Sequence, residues 1–512
     1  MAANRSTGRR WDAWLLVGWI ALISVVRAGR FEETDPYWQA RAGLEVLRGT
    51  PLARPDTWSW DPVPGLFLPN SPAWNVALGI SWDRLGYWGL FAVAALSIAA
   101  YLVSVVLVAG LIRVHPLASI GALLVVLLLA LPMLSARATL VAQTLFMLGL
   151  GAAFVLSRRL PQIPTLVGGA LALLGGFLLS WAGNWIHLSW TTFALLSAGC
   201  WAILWLLAPG VSMVRAISAS VAGAAGLLVG ILLGPFGWDV WSQTQAVVAA
   251  CSGLILEWTT PLHRELAARW LAPTLISTVL VAMTVAWILR TALVRPGRIR
   301  SLRLIPAITA AALPFAIASY FAIRFLGIAV LTLGPVIAWW LSRLPPAIRA
   351  WADRRELGGR TRERLREWTS ASFWRVVLTA TLAVLAPFAA IYALPHAQPP
   401  TNALNDRLPP GCHLFSPSNE AAAVLLTRPD VPVWMDGRAD YWGRERLVEM
   451  NRLVYRSDPA NPVPQGTTCI LLPGPGVEPD FSNLVSNVDA SPAWERVAEQ
   501  NGYVLWLPAD RP

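Results

Sequence analysis

The chain has 512 residues, 56% hydrophobic and 13% charged, with a mean hydropathy of +0.54. Charged residues make up about a quarter of a soluble globular protein, so this balance excludes a soluble enzyme over most of the length. The formal net charge of +11 is carried by 40 basic residues, all of them arginine. In so apolar a chain arginine reports topology, and nucleic acid is not expected as a partner.

The N-terminal stretch MAANRSTGRRWDAWLLVGWIALISVV has a basic start, an apolar run and no small-residue cleavage site. It reads as an uncleaved first span. Further apolar runs follow, and YWGLFAVAALSIAAYLVSVVLVAGLI (87–112) alone exceeds the ~20 residues needed to cross a bilayer. The expected spans are 12–28, 86–112, 117–134, 139–157, 164–182, 187–208, 212–233, 271–290, 303–321, 324–342 and 373–394. The fold class is therefore a polytopic α-helical membrane protein of about 11 transmembrane helices. With the N-terminus cytoplasmic, the inner segments carry 21 of the 40 arginines, including the clusters Arg290 to Arg303 and Arg343 to Arg375. The positive-inside rule then places residues 29–85 and the C-terminus outside the plasma (inner) membrane.

Two outer connections are long. The first, 29–85, opens with FEETDPYWQARAG and scatters Trp58, Trp60, Trp74 and Trp82 among prolines and acids. It is expected to lie on the membrane with its indoles at headgroup level. The second is 234–270, and both are too aromatic for disorder. Residues 1–394 thus form a transmembrane domain, 395–410 a linker, and 411–512 a small extracytoplasmic α/β domain. In that last part strands CHLFS, VPVWMDG and TTCILLP alternate with helices, before a hairpin turning at Asn501-Gly502. Cys412 and Cys469 fall in two of these strands, where an oxidising compartment permits a disulfide.

Three acids, Glu32, Glu33 and Asp35, stand where the first span ends. A carboxylate at that height can serve as a general base, and Pro36 restricts the backbone after Asp35. The same residues also suit a helix cap, with Thr34 or Asp35 preceding a proline at the first helical position. Spacing leaves both readings open. Asn184 and His187, at the outer junction of two spans, suit contacts to substrate hydroxyls or an interfacial pair. Glu257 suits an acceptor contact or a loop anchor, and Arg264 a phosphate contact or a solvated helix face. Between Leu304 and Leu341 the only charge is Arg324, at an expected outer turn. It and Arg137, in the turn LSARAT, match phosphate in a bidentate way or serve as snorkelling anchors. Asp436, Gly437, Arg438 and Asp440 read as an ordered turn with internal salt bridges in preference to a binding site.

The first outer loop, DPYWQARAGLEVLRGTPLARPDTWSWDPVPGLFLPNSPAWNVALGI, resembles that of bacterial GT-C-type membrane glycosyltransferases. SARATLVAQTLFMLGL (135–150), GNWIHLSWTTFALL (183–196), GPFGWDVW (234–241), LEWTTP (256–261) and VPVWMDGRADYWG (431–443) match recurring pieces of that family in order. The chain departs from the family at Gln39, where histidine is common, so no role needing that imidazole is carried over. The resemblance implies sugar transfer on the outer face from a polyprenyl-phosphate donor to a glycan, lipid or protein acceptor. Asp35 matches the family's first-loop acid, the implied base; Glu33 is its alternate, and Glu32 or Glu33 supports it or binds a divalent metal. No other cofactor is expected. The rival reading is a non-catalytic transporter or envelope-assembly scaffold. A transporter should place paired ionisable residues or broken helices at mid-membrane depth, whereas nearly all the charges here fall at expected span ends.

The arginine pattern makes a direct prediction. Reporter fusions at residue 360 and at the C-terminus should report opposite sides of the membrane; the same side for both would refute the topology.

Overall fold

The computed structural model describes residues 2–29, 34–355, 358–393, 399 and 401–510; Glu32 and Glu33 lie outside the described residues. The chain forms two compact units. One comprises Met1–Gly29, Ala94–Trp238 and Thr259–Leu394, and the other Arg30–Val93, Asp239–Trp258 and Pro395–Pro512.

The first unit is helical. Among the described residues eight helices are long and apolar enough to cross a membrane, and three shorter apolar helices, Pro116–Leu129, Trp190–Leu206 and Leu304–Ala318, complete the eleven expected. Helices Thr165–Ile186 and Met213–Leu232 pack backbone to backbone. A Cβ on Gly226 would collide with the Leu173 carbonyl, and one on Gly230 with that of Phe177. Small residues allow this approach where lipid offers no hydrophobic drive between helices. The first and last spans are joined at their basic ends. Asp12, fully buried, accepts hydrogen bonds from Arg375 Nε at 2.6 Å and its terminal nitrogen at 3.0 Å, and His115 Nε2 stands 3.5 Å away.

The second unit holds a four-stranded sheet of order β1-β2-β4-β3: β1 Leu414–Phe415, β2 Cys469–Pro473, β3 Trp494–Gln500 and β4 Tyr503–Pro508. β1 and β2 are parallel, and β4 is antiparallel to both β2 and β3. Asn501 and Gly502 have φ of 55° and 80°, the positive values that a tight two-residue hairpin needs. Cys412 and Cys469 are disulfide-bonded, with Cα atoms 6.0 Å apart. The sheet packs on a core that includes Trp434, Trp442, Leu472, Leu484 and Trp506.

Two expectations are corrected. VPVWMDG does not form a full strand; only Val433 pairs, with Leu414 on one side and Ser59 on the other. The chain then turns, because the Arg438 backbone N–H and guanidinium both bind the Asp436 carboxylate. Two of the four first-loop indoles are also enclosed in protein and not at a headgroup surface. Trp58 and Trp74 are buried, donating to Glu45 at 2.7 Å and to Gln39 at 2.9 Å, while Trp60 donates to the Leu414 carbonyl at 3.1 Å. Each of these three indole N–H groups finds a protein acceptor, which satisfies the donor that burial would otherwise strand.

Glu420, in the first turn of helix Ser418–Thr427, is enclosed beside Glu478 and Tyr503. Burial, with a smaller push from Glu478, raises its carboxyl to about 7. The folded state therefore keeps a proton that the unfolded chain releases near pH 4.5. The stability from this proton is complete below that pH and is lost as pH rises through about 7. Glu420→Gln should be more stable than the wild type at pH 8, by ~3 kcal/mol, and no more stable at acid pH. Thermal midpoints of the full-length protein across pH measure the difference.

Candidate functional site

Helix Asp35–Leu47 begins at the Thr34 N-cap with Pro36 in its first turn, and no side chain caps it. Asp35 is thus the first helical residue. Its Oδ1 accepts a hydrogen bond from Trp38 Nε1 at 2.9 Å, one turn along. That bond fixes the rotamer of the acid, and Trp38 is itself 2% exposed.

The turn at 436–440 lies against this pair. A Cβ on Gly437 would stand 3.0 Å from both Asp35 Oδ1 and Trp38 Nε1, so only glycine leaves their hydrogen bond undisturbed. Asp440 follows in the first turn of helix Ala439–Tyr455 and accepts from Asn70 Nδ2 at 3.2 Å. Burial raises the Asp440 carboxyl, and the neighbouring Asp35 raises it further.

A buried ion cluster holds the turn. Arg438, fully buried, pairs with Asp436 at 2.7 Å and with Asp56 of the first loop at 2.8 Å. Its guanidinium lies over the rings of Trp58 at 4.3 Å and Phe67 at 4.6 Å. Burial would lower its proton affinity, but the two carboxylates outweigh that and keep it charged. Beside it, Glu45 binds Arg54 at 2.8 Å and Arg41 at 3.2 Å. Three cations thus face three carboxylates.

In the helical unit, Arg137 is the N-cap of helix Ala138–Arg159, and Arg324 lies in the first turn of helix Ile323–Arg354. Both stand at the positive ends of helix dipoles. Both also act on His187, in the turn between helices Thr165–Ile186 and Trp190–Leu206. Desolvation, then Arg324 and Arg137, lowers its pKa to about 3, so the ring is neutral. The Ser189 N–H donates to His187 Nδ1 at 2.9 Å, which puts the ring proton on Nε2. The turn before Arg324 is tied to the end of LEWTTP: Ile323 N–H donates to the Thr259 carbonyl at 3.1 Å, and Thr260 Oγ1 to that of Tyr320 at 2.7 Å.

The structure thus brings Arg137, Arg324 and His187 together. Asn184 is fully buried, and its amide donates to the Ile231 carbonyl at 3.0 Å, a bond that holds the end of a neighbouring helix. Glu257 lies in the short turn Leu256–Trp258, and Arg264 is exposed at the start of helix Arg264–Val294. Among the described residues no group of three or more His, Cys, Asp or Glu is placed to hold a metal.

No protein family's sequence profile matches the chain, and no curated protein matches it. Among solved structures it is similar to the oligosaccharyltransferase AglB from Archaeoglobus fulgidus, in complex with an inhibitory peptide and a dolichol-phosphate. That match has a TM-score of 0.47 at 12% identity over 90% of this chain and 69% of the other. It is also similar to ArnT from Cupriavidus metallidurans bound to undecaprenyl phosphate, with a TM-score of 0.36 at 13% identity over 99% and 98% of the two chains.

Gly437 and Asp440 are the neighbours of Asp35 that sequence reasoning did not assign to it, and Asn70 reaches the site through Asp440. The dense run DGRAD was the available signal, but nothing local says which distant residue it meets. The Arg438 cluster gives a prediction. Arg438→Ala would leave two carboxylates buried and unpaired, at a cost of about 3–5 kcal/mol. The thermal midpoint should fall sharply, whereas Arg496→Ala, on the exposed edge strand, should change it little.

Proposed function

We propose that the chain is a GT-C-like membrane glycosyltransferase. It moves a sugar from a polyprenyl-phosphate donor to a hydroxyl of a glycan, lipid or protein acceptor on the outer face of the membrane. The observation that carries this reading is the Asp35 carboxylate, held at a helix start by Trp38 and flanked by Gly437 and Asp440. The ordered motifs shared with that family point the same way, and the Cys412–Cys469 bond suits a unit outside the reducing cytoplasm.

In this reading Asp35 takes the proton of the acceptor hydroxyl as its oxygen attacks the anomeric carbon. The bond from that carbon to the phosphate oxygen breaks, and polyprenyl phosphate leaves with the electron pair. Arg137 and Arg324 are the proposed ligands of the phosphate, since guanidinium stays protonated and pairs with two oxygens at once. They would stabilise the charge that develops on the leaving group. Neutral His187 would donate a hydrogen bond from Nε2 to a substrate oxygen. Glu33 is the alternate base, Glu32 its support, and Glu257 and Arg264 further substrate contacts. A donor anchored in lipid needs no glycine-rich nucleotide loop.

The test is release of polyprenyl phosphate from polyprenyl-phosphate hexoses and pentoses by the purified full-length protein in liposomes. Asp35→Asn should lower transfer ~10²–10⁴-fold while the protein still inserts and keeps its thermal midpoint. Near-normal turnover in this variant would move the base to Glu33.

A further inference from the structure

Helices Thr165–Ile186 and Met213–Leu232 close tightly at Gly176, Gly226 and Gly230, and a bond from Arg215 to Thr165 joins their first turns. There they leave an open groove of about 550 Å³, lined by Thr165, Gly169 and Leu173 on one helix and Ser218 and Ala222 on the other. This volume lies within the ~300–1,000 Å³ of ligand clefts. Its surroundings face lipid: Leu166 is 86% exposed and Val214 74%.

One end of the groove is cationic. Arg215 stands one turn before Ser218 and donates to the Leu160 and Pro161 carbonyls at 2.9 and 3.0 Å and to Thr165 Oγ1 at 3.4 Å. These acceptors are all neutral oxygens, and among the described residues no carboxylate forms an ion pair with Arg215. Its positive charge is therefore uncancelled at the point where the apolar groove begins. Arg159, exposed in the preceding helix turn, adds a second cation next to Leu160. The dipoles of both lining helices also present their positive ends here. An apolar slot of this size ending in fixed positive charge, on a lipid-facing surface, matches a molecule with a long hydrocarbon chain and an anionic head.

We propose that this groove is a binding site for an anionic phospholipid, with one acyl chain lying along Gly169, Leu173 and Ala222 and the phosphate held at Arg215. The site is independent of the proposed transfer reaction and of Asp35. An ordered lipid here would add to the Arg215–Thr165 bond that joins the two first turns.

The experiment is native mass spectrometry of the full-length protein taken from vesicles of equal phosphatidylglycerol and phosphatidylcholine with identical chains. The wild type should retain one phosphatidylglycerol in preference to phosphatidylcholine. Arg215→Gln should lower that retention about fivefold, and Arg215→Lys should restore most of it, since each cation near an anionic headgroup contributes about that much. Gly169→Leu has room, its Cβ meeting Ser218 Oγ at 3.6 Å and Ala222 Cβ at 3.9 Å. It should fill the slot and lower retention of both lipids. Equal retention of the two lipids by the wild type, undiminished phosphatidylglycerol in Arg215→Gln, or displacement of the lipid by a polyprenyl phosphate would each overturn the assignment.

Discussion

The second unit depends on the burial of one guanidinium. Arg438 is removed from water together with Asp436 and Asp56, which pair with it at 2.7 and 2.8 Å. A buried charge costs several kcal/mol unless it is fully paired. Here it is paired on its edges and stacked on aromatic faces, with Trp58 and Phe67 nearest. Such a cluster adds little net stability over a hydrophobic one, but any misregister leaves a charge unpaired. It therefore selects one placement of the first loop on the C-terminal sheet.

Several features follow from that placement. With Asp56 held, Trp58 to Trp60 run beside Val433, and the sheet gains an edge contributed from the other end of the chain. The sheet edge at β1 is thereby covered, which removes a site for unwanted pairing. On the other side of Arg438 the backbone turn brings Gly437 onto the Asp35–Trp38 hydrogen bond and Asp440 beside Asp35. Asp35 is the residue singled out by its position at the end of a span, and its environment is supplied by residues some four hundred positions later. The domain that reads as an appendage in the sequence supplies the neighbours of the candidate base.

The helical unit follows a different constraint. Its helices have little hydrophobic reason to choose one another in lipid, so shape and a few polar contacts decide. Gly226 and Gly230 let two backbones touch, and Asn184 donates to the end of the same neighbouring helix. Asp12 and Arg375 pair near the ends of the first and last spans. Arg137, Arg324 and the neutral His187 gather at helix ends.

Length and periodicity made much of this legible. Eleven apolar runs became eleven apolar helices because a run of about twenty apolar residues has one stable solution in lipid, a helix that satisfies its own backbone. The Asn501-Gly502 turn was equally plain, because only residues at ease with positive φ close a two-residue hairpin. These are local properties, and a sequence states local properties directly. The tertiary structure alone decided that Arg438 would meet Asp56 across 382 residues, that Val433 would pair on both sides, and that Asp440 would stand beside Asp35. It also decided that Trp58 and Trp74 would be buried in protein and not at the membrane surface. Each of these depends on a partner far along the chain, and a charged or aromatic residue looks the same in sequence whether its partner is water, lipid or a distant side chain.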